Sequence, residues 1–229
     1  MKTVIVTGAS GNLGRAVINR FLAEGYFVHG TVISNGPVPC DIQDERFEKA
    51  VVDLLNEEDA ERFTASVIAR QGAIHAAVLT VGGFAMGDIA ATKASDIFKQ
   101  YRLNFETAYN IARPVFVQML KQGTGRIFMI GSKPGLQAGL GTGMTAYSLG
   151  KSLIFHLAEL MNNEAKGTNV VTSVLVPSTI DTPQNRKAMP DADFADWVKT
   201  EDIAETICYY CSEKAKAIRE PLIKVYNNA

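Results

Sequence analysis

Short apolar runs alternate along the chain with stretches whose apolar positions recur at helical spacing, and this alternation predicts the elements. TVIVT (3–7) reads as a strand apolar on both faces. The residues after it read as a helix in which Leu13, Val17 and Phe21 share one side. Further strands are expected at 26–33, 49–54, 76–81, 126–131, 169–176 and 222–225. Helices are expected over about 57–71, 95–121, 145–165 and 201–211; the first opens with Glu57, Glu58 and Asp59, which suit the positive end of a helix dipole. The connection 34–46 contains proline and glycine and is too short for a full crossover helix, while 177–200 is polar and punctuated by proline. Doubly apolar strands alternating with helices imply an α/β architecture with a doubly wound parallel sheet of about seven strands. No linker, repeat or low-complexity tract interrupts the pattern, so residues 1–229 are expected to form a single domain.

Composition narrows the partners. Twenty-three Lys and Arg against 24 Asp and Glu leave a net charge of −1, which offers neither nucleic acid nor an anionic membrane a basic surface. A small molecule or a second copy of the chain is the expected partner. Three cysteines are too few and odd in number for a disulfide framework. Cys208 and Cys211 lie in a helical pattern without a second Cys or His pair, and His29, His75 and His156 lack ligand spacing, so no metal is expected. The strand pattern begins at Lys2, leaving no room for a signal peptide, and no apolar stretch reaches the roughly 18 residues of a membrane span. The expected setting is cytoplasmic.

The glycines collect where strands should end: Gly8, Gly11 and Gly14; Gly82, Gly83 and Gly87; and a third group from Gly131 to Gly143. V-T-G-A-S-G-N-L-G (6–14) lies between the first strand and its helix. Glycines there allow a sharp turn and bring backbone N–H groups against a phosphate at a helix N-terminus. The string points to a dinucleotide held by Gly8, Ser10, Gly11, Asn12, Leu13 and Gly14, the alternative being a tight turn alone. Thr31 to Ser34, at the end of the second strand, offer no acid for the ribose 2′-hydroxyl of NAD and no base for a 2′-phosphate, though Arg15 stands just after the loop. With nothing there to repel a phosphate, the expected cofactor is NAD(P), leaning to NADP.

Tyr147 and Lys151, in Y-S-L-G-K, sit at i and i+4 on one helical face. A neighbouring ammonium is expected to lower the phenol below its usual pKa of about 10 and let Tyr147 exchange a proton with a carbonyl or alcohol oxygen.

With T-G-A-S-G-N-L-G near the start, I-G-S at 130–132 and the Tyr147–Lys151 pair, the chain resembles the short-chain dehydrogenase/reductase family over nearly its whole length. Asn12 stands where that family usually has glycine, and Gly11 comes one place early. The resemblance implies a Rossmann-like fold and hydride transfer between NAD(P) and a small carbonyl or alcohol. It implies that Tyr147 is the acid/base, Lys151 tunes it and holds the nicotinamide ribose, Ser132 positions the substrate, and Asn104 holds a relay water. It assigns Asp53 and Leu54 to the adenine, Val81 and Gly82 to the cofactor's flank, Pro177 to the cofactor site, and Ile180 and Thr182 to the nicotinamide carboxamide. The loop between Ser132 and Tyr147 is longer than is usual in the family. Residues 183–197 are expected to act as a lid, with Trp197 either facing substrate or packing into the core. The helices at 95–121 and 145–165 are expected faces of a homodimer or homotetramer.

Residues 142–197 are most similar to the dihydropteridine reductase branch of the family, which makes reduction of a quinonoid pterin an alternative. That branch carries an acidic residue where this chain has Val32 and lacks the serine found at Ser132. A reading of another class is a nucleotide-sensing binding protein without turnover.

Overall fold

In the computed structural model, which describes residues 1–33 and 40–228, the central strands are buried on both faces. β1 (Thr3–Thr7), β2 (Phe27–Val32), β3 (Phe47–Val51), β4 (Ala76–Leu79), β5 (Thr124–Ile130) and β6 (Asn169–Pro177) are followed by the two-residue strands β7 (Ile180–Asp181) and β8 (Val198–Lys199) and by β9 (Leu222–Val225). Seven of them form one sheet in the order β3-β2-β1-β4-β5-β6-β9, with every neighbouring pair parallel. The chain leaves β1 toward β2 on one side and returns at β4 on the other. The strand order therefore reverses between β1 and β4, and a crevice opens beyond their carboxyl ends.

The helices are α1 (Asn12–Ala23), α2 (Glu57–Gln71), α3 (Ala94–Tyr101), α4 (Thr107–Gln122), α5 (Lys133–Leu136), α6 (Thr145–Glu164), α7 (Pro183–Ala188) and α8 (Thr200–Tyr210). Alternate strand residues feed two cores. Ile5, Leu79, Ile127 and Met129 pack with Phe63 of α2, Ile111 of α4 and Ile154 of α6. Val4, Val6, Val78 and Phe128 pack with Val17 and Phe21 of α1 and Ile203 of α8. This is the doubly covered sheet that the apolar runs predict.

Asn56 caps α2, its side-chain oxygen accepting from the N–H groups of Glu58 (3.0 Å) and Asp59 (3.3 Å), just ahead of the three acids of the first turn. Asn56→Ala should destabilise the fold by about 1 kcal/mol, read as a lower urea midpoint at unchanged slope.

Three elements differ from expectation. The helix expected over 95–121 is interrupted by a π-helical turn at Arg102–Glu106, which separates α3 from α4. A π turn widens the hydrogen-bond spacing by one residue and re-aims the side chains on it, here including Asn104. β3 starts and ends earlier than 49–54, so Asp53 and Leu54 lie in the turn that follows. The segment 177–200 is more ordered than its composition suggests, holding β7, α7 and β8. In the connection 34–46, residues 34–39 lie outside the described residues, and 40–46 form no helix.

Candidate active site

The first loop of the crevice is closed by its own backbone. The Gly11 N–H donates to the Gly8 carbonyl (2.9 Å), and the Ala9 N–H donates to the Thr31 carbonyl (2.9 Å). Gly14, in the first turn of α1, presses against this loop so closely that a β-carbon there would lie 2.1 Å from the Gly8 carbonyl oxygen. Gly11 caps α1 without any side-chain hydrogen bond, and the first turn contains no acid. Among the described residues no side chain accepts from its leading N–H groups, which suits a phosphate. Ser10, Asn12 and Leu13 are half-buried around the same turn. Asn12 also reaches across to the later segment, its Nδ2 donating to Gln184 Oε1 of α7 at 2.8 Å.

On the adenosine side Arg15 is paired with Asp41 at 2.6 Å, and that guanidinium holds the Asp41 carboxyl below its usual range. Arg15 is thus already engaged by a carboxylate that the sequence pattern did not reveal. Asp53 is exposed and accepts from the Leu55 N–H at 3.0 Å, while Leu54 is buried with its carbonyl accepting from Asn110 Nδ2 at 2.9 Å.

Two residues past the end of β5 stands Ser132, whose hydroxyl caps the short α5 by accepting from the Gly135 N–H at 3.1 Å. The extra residues before Tyr147 are taken up by α5 and by a 3-10 turn at Ala138–Gly141. Tyr147 lies in the first turn of α6 and Lys151 one turn later. Burial pushes the Tyr147 phenol above its ordinary pKa, and the neighbouring Ser132 hydroxyl opposes that rise. The net direction is opposite to the expected lowering: desolvation of the phenolate outweighs what favours the charged form. Lys151 is buried, donates from Nζ to the Ile130 carbonyl at 2.7 Å, and loses enough hydration for its pKa to fall to about 8.

Asn104, delivered by the π turn, is 1% exposed. Its Oδ1 accepts from the Gly83 N–H (3.0 Å), and its Nδ2 donates to the Gly83 carbonyl (3.0 Å) and to Gln100 Oε1 (2.8 Å). Both ends of the amide hold protein groups, so Asn104 clamps the loop after β4. Gly82 is exposed between these side chains; a β-carbon there would meet Asn104 Oδ1 at 2.7 Å and Lys151 Nζ at 3.1 Å. Val81 is half-buried beside it, and the preceding Thr80 donates from its hydroxyl to the Thr7 carbonyl at 2.6 Å, tying the ends of β4 and β1 together. Ser132, Tyr147, Lys151, Asn104 and Gly82 are thereby grouped at the carboxyl edge of β4 and β5. Gln100 escaped the sequence reading, although its place four residues before Asn104 on a helix could have signalled it.

Pro177 ends β6. The Ile180 carbonyl accepts from Asn185 Nδ2 (2.8 Å), and the Thr182 hydroxyl caps α7 by accepting from the Asn185 N–H (3.2 Å). Arg186 forms a two-pronged pair with Asp181 (2.6 and 2.7 Å) and lies over the Phe194 ring at 4.6 Å. Trp197 is 6% exposed and touches Phe194 ring to ring, which favours its packing role over substrate contact. Among the described residues no group of His, Cys, Asp and Glu could hold a metal. Cys208 and Cys211 are free thiols, both pushed up by burial and so less reactive than an ordinary cysteine. His29 is buried, His75 accepts from the Thr3 N–H at 3.0 Å, and His156 is exposed. No helix among the described residues is long and apolar enough to cross a membrane.

Known proteins with the same pattern agree on the fold. The chain is 27% identical to the cyclic-di-GMP-binding biofilm dispersal mediator protein of Escherichia coli over 84% of its length and 78% of that protein. It is 26% identical to the dihydropteridine reductase of Dictyostelium discoideum over 90% of the chain and 86% of the relative. The ligand-free aldohexose dehydrogenase of Thermoplasma acidophilum superposes with a TM-score of 0.84 at 21% identity, covering 98% of this chain and 92% of that one, which speaks for the fold alone. A family model described as short chain dehydrogenase matches residues 2–193. With that match running from β1 through the Tyr147 helix and past α7, the chain belongs to the short-chain dehydrogenase/reductase family and is an NAD(P)-dependent oxidoreductase.

Proposed function

We propose that the protein interconverts a small carbonyl compound and its alcohol, with Tyr147 as the proton donor and acceptor. The observation that carries this reading is the placement of Tyr147 beside Ser132, one helical turn from a buried Lys151 ammonium that abuts Gly82. The chain fits a nicotinamide dinucleotide: Gly14 lets α1 approach the turn, the N-terminus of α1 is free of side-chain caps, and Gly82 leaves the space a side chain would fill. Bound there, the nicotinamide supplies or takes up the hydride.

In reduction, the Ser132 hydroxyl orients the substrate oxygen and the Tyr147 O–H gives it a proton. A phenol held above its ordinary pKa stays protonated at neutral pH, which suits the acid role; alcohol oxidation needs the phenolate and gains as pH rises. Lys151 carries the positive charge that steadies the phenolate and the cofactor ribose, and Asn104 acts through Gly83 by fixing the loop. With a pKa of about 8, Lys151 is charged below that pH and neutral above it. Cofactor affinity should therefore weaken as pH rises past about 8 in the wild type and stay flat in Lys151→Met, measured as Kd against pH; parallel profiles would refute the role of the ammonium.

The lean to NADP rests on the absence of a carboxylate from Thr31 to Ile33; Ser34 lies outside the described residues. Asp41 is one group that competes with a 2′-phosphate for Arg15. Asp41→Asn should tighten NADPH binding about threefold, the scale of an exposed ion pair, with little change for NADH. A preference of the wild type for NADH would overturn the lean.

Reduction of a quinonoid pterin is the second reading, favoured by the similarity of residues 142–197 and by the Dictyostelium relative. A quinonoid dihydropteridine assay beside a panel of simple ketones separates the two. Association through the α3–α4 and α6 faces is part of the proposal, because Phe98, Tyr101, Tyr109, Leu149 and Leu160 leave apolar surface open there. Sedimentation velocity showing only a monomer would refute it. The segment 183–197 serves as the lid, tied to the phosphate loop through Asn12 and Gln184.

A further inference from the structure

The loop that follows Gly82 and Gly83 continues F-A-M-G, and its first side chain lies against the proton donor. The Phe84 ring meets the Tyr147 ring edge to face at 5.1 Å, yet Phe84 remains 61% exposed and Met86 72% exposed. Exposed phenyl rings are ordinary on protein surfaces, but this one is held in place. Gly87 donates from its N–H to the Gly143 carbonyl (2.7 Å), and its own carbonyl accepts from the Thr145 N–H (2.9 Å). These bonds bridge Gly87 to Met144, so the loop carrying Phe84 is joined to the start of the helix carrying Tyr147. A β-carbon on Gly143 would lie 4.0 Å from the Met86 methyl, which brings both loops into one apolar wall. The chemistry of the wall is uniform. Residues 84–87 and 142–147, which form the two bridged loops, contain no Asp, Glu, Lys, Arg or His. These loops themselves offer a carboxylate or phosphate no ionic partner, and the Lys151 ammonium is buried against the Ile130 carbonyl, while an open aromatic ring prefers another ring in edge or offset contact.

We infer that Phe84, with Met86, is a specificity wall that selects an uncharged carbonyl compound conjugated to a planar ring, its carbonyl at Tyr147 and its ring against Phe84. This substrate class rests on the reading of Tyr147 as the proton donor.

Acetophenone and cyclohexyl methyl ketone test it, because they share the carbonyl and differ in the planarity of the ring. Each is titrated by calorimetry into the full chain saturated with oxidised NADP, where no reduction occurs. The wild type should bind acetophenone about tenfold more tightly than cyclohexyl methyl ketone, the range of an aromatic pair. Phe84→Leu, which keeps apolar bulk without a ring, should bring that ratio near one, and Phe84→Tyr should restore it. No preference in the wild type, or the same preference in Phe84→Leu, overturns the inference. Turnover is followed separately with NADPH. The expected binding ratios without turnover of either ketone would uphold the wall and count against Tyr147 as the proton donor.

Discussion

Replacing Tyr147 by phenylalanine is expected to reduce turnover on the order of 10³-fold, the usual scale for loss of a positioned general acid. The substitution removes only the hydroxyl and leaves the ring that Phe84 contacts, so the fold and the apolar wall stay intact. Cofactor Kd should change by less than about twofold, since the proposed binding rests on the Gly8–Gly14 turn, Gly82 and Lys151, and tenfold in Kd corresponds to about 1.4 kcal/mol. Equal losses in kcat and kcat/KM with unchanged cofactor binding are the signature of an interaction made only in the transition state. Weakened cofactor binding of the same size would mean that Tyr147 props the site and does not act on substrate.

Among the described glycines, Gly14 should be the one at which adding a single carbon (Gly14→Ala) is most damaging. The new β-carbon would stand 2.1 Å from the Gly8 carbonyl oxygen and 2.9 Å from its carbon, both backbone atoms that no rotamer change can move aside. Either α1 shifts away from the turn or the turn opens, and each displaces the N–H groups that face the phosphate. Overpacking of this kind costs about 3 kcal/mol at its usual upper end. If that strain falls on the bound state, cofactor Kd rises roughly 100-fold. Gly139→Ala is the control: its β-carbon meets nothing within 4 Å, and its backbone is not left-handed, so stability should move by less than about 0.5 kcal/mol. Equal effects of the two substitutions on cofactor affinity would contradict the role given to the Gly14 contact.

What could be seen in the sequence and what could not have physical reasons. Buried strands such as TVIVT and NVVTSVLV announce themselves because apolar residues occupy both faces. β3 lies at the edge of the sheet and is mostly half-exposed, so its start at Phe47 carries a weak apolar signal and its end was placed too late. The π turn could not be read at all: Arg102–Glu106 keeps a helical composition, and the change of hydrogen-bond spacing leaves no trace in hydrophobic period. β7 and β8 are two residues each, too short for periodicity to exist.

The candidate site divides along the same line. Tyr147 and Lys151 are local, four residues apart on one helix, and so were legible. The pKa of Tyr147 was misjudged because a neighbouring charge is visible in sequence whereas burial comes from the whole fold. Asn104 is picked out in the sequence by the family resemblance alone, and its engagement with Gly83 and Gln100 depends on a π turn and a distant loop. Asp41 beside Arg15 and Gln184 beside Asn12 pair across wide sequence separations, where composition gives no hint.

The most direct test of the central claim is hydride transfer itself, followed as loss of reduced-nicotinamide absorbance when purified wild-type protein and NADPH meet a panel of ketones and a quinonoid dihydropteridine. The account predicts multiple turnovers with at least one carbonyl and none above background in Tyr147→Phe that still binds NADPH. Tight NADPH binding by the wild type with no turnover on any member of the panel, or undiminished turnover in Tyr147→Phe, would contradict it.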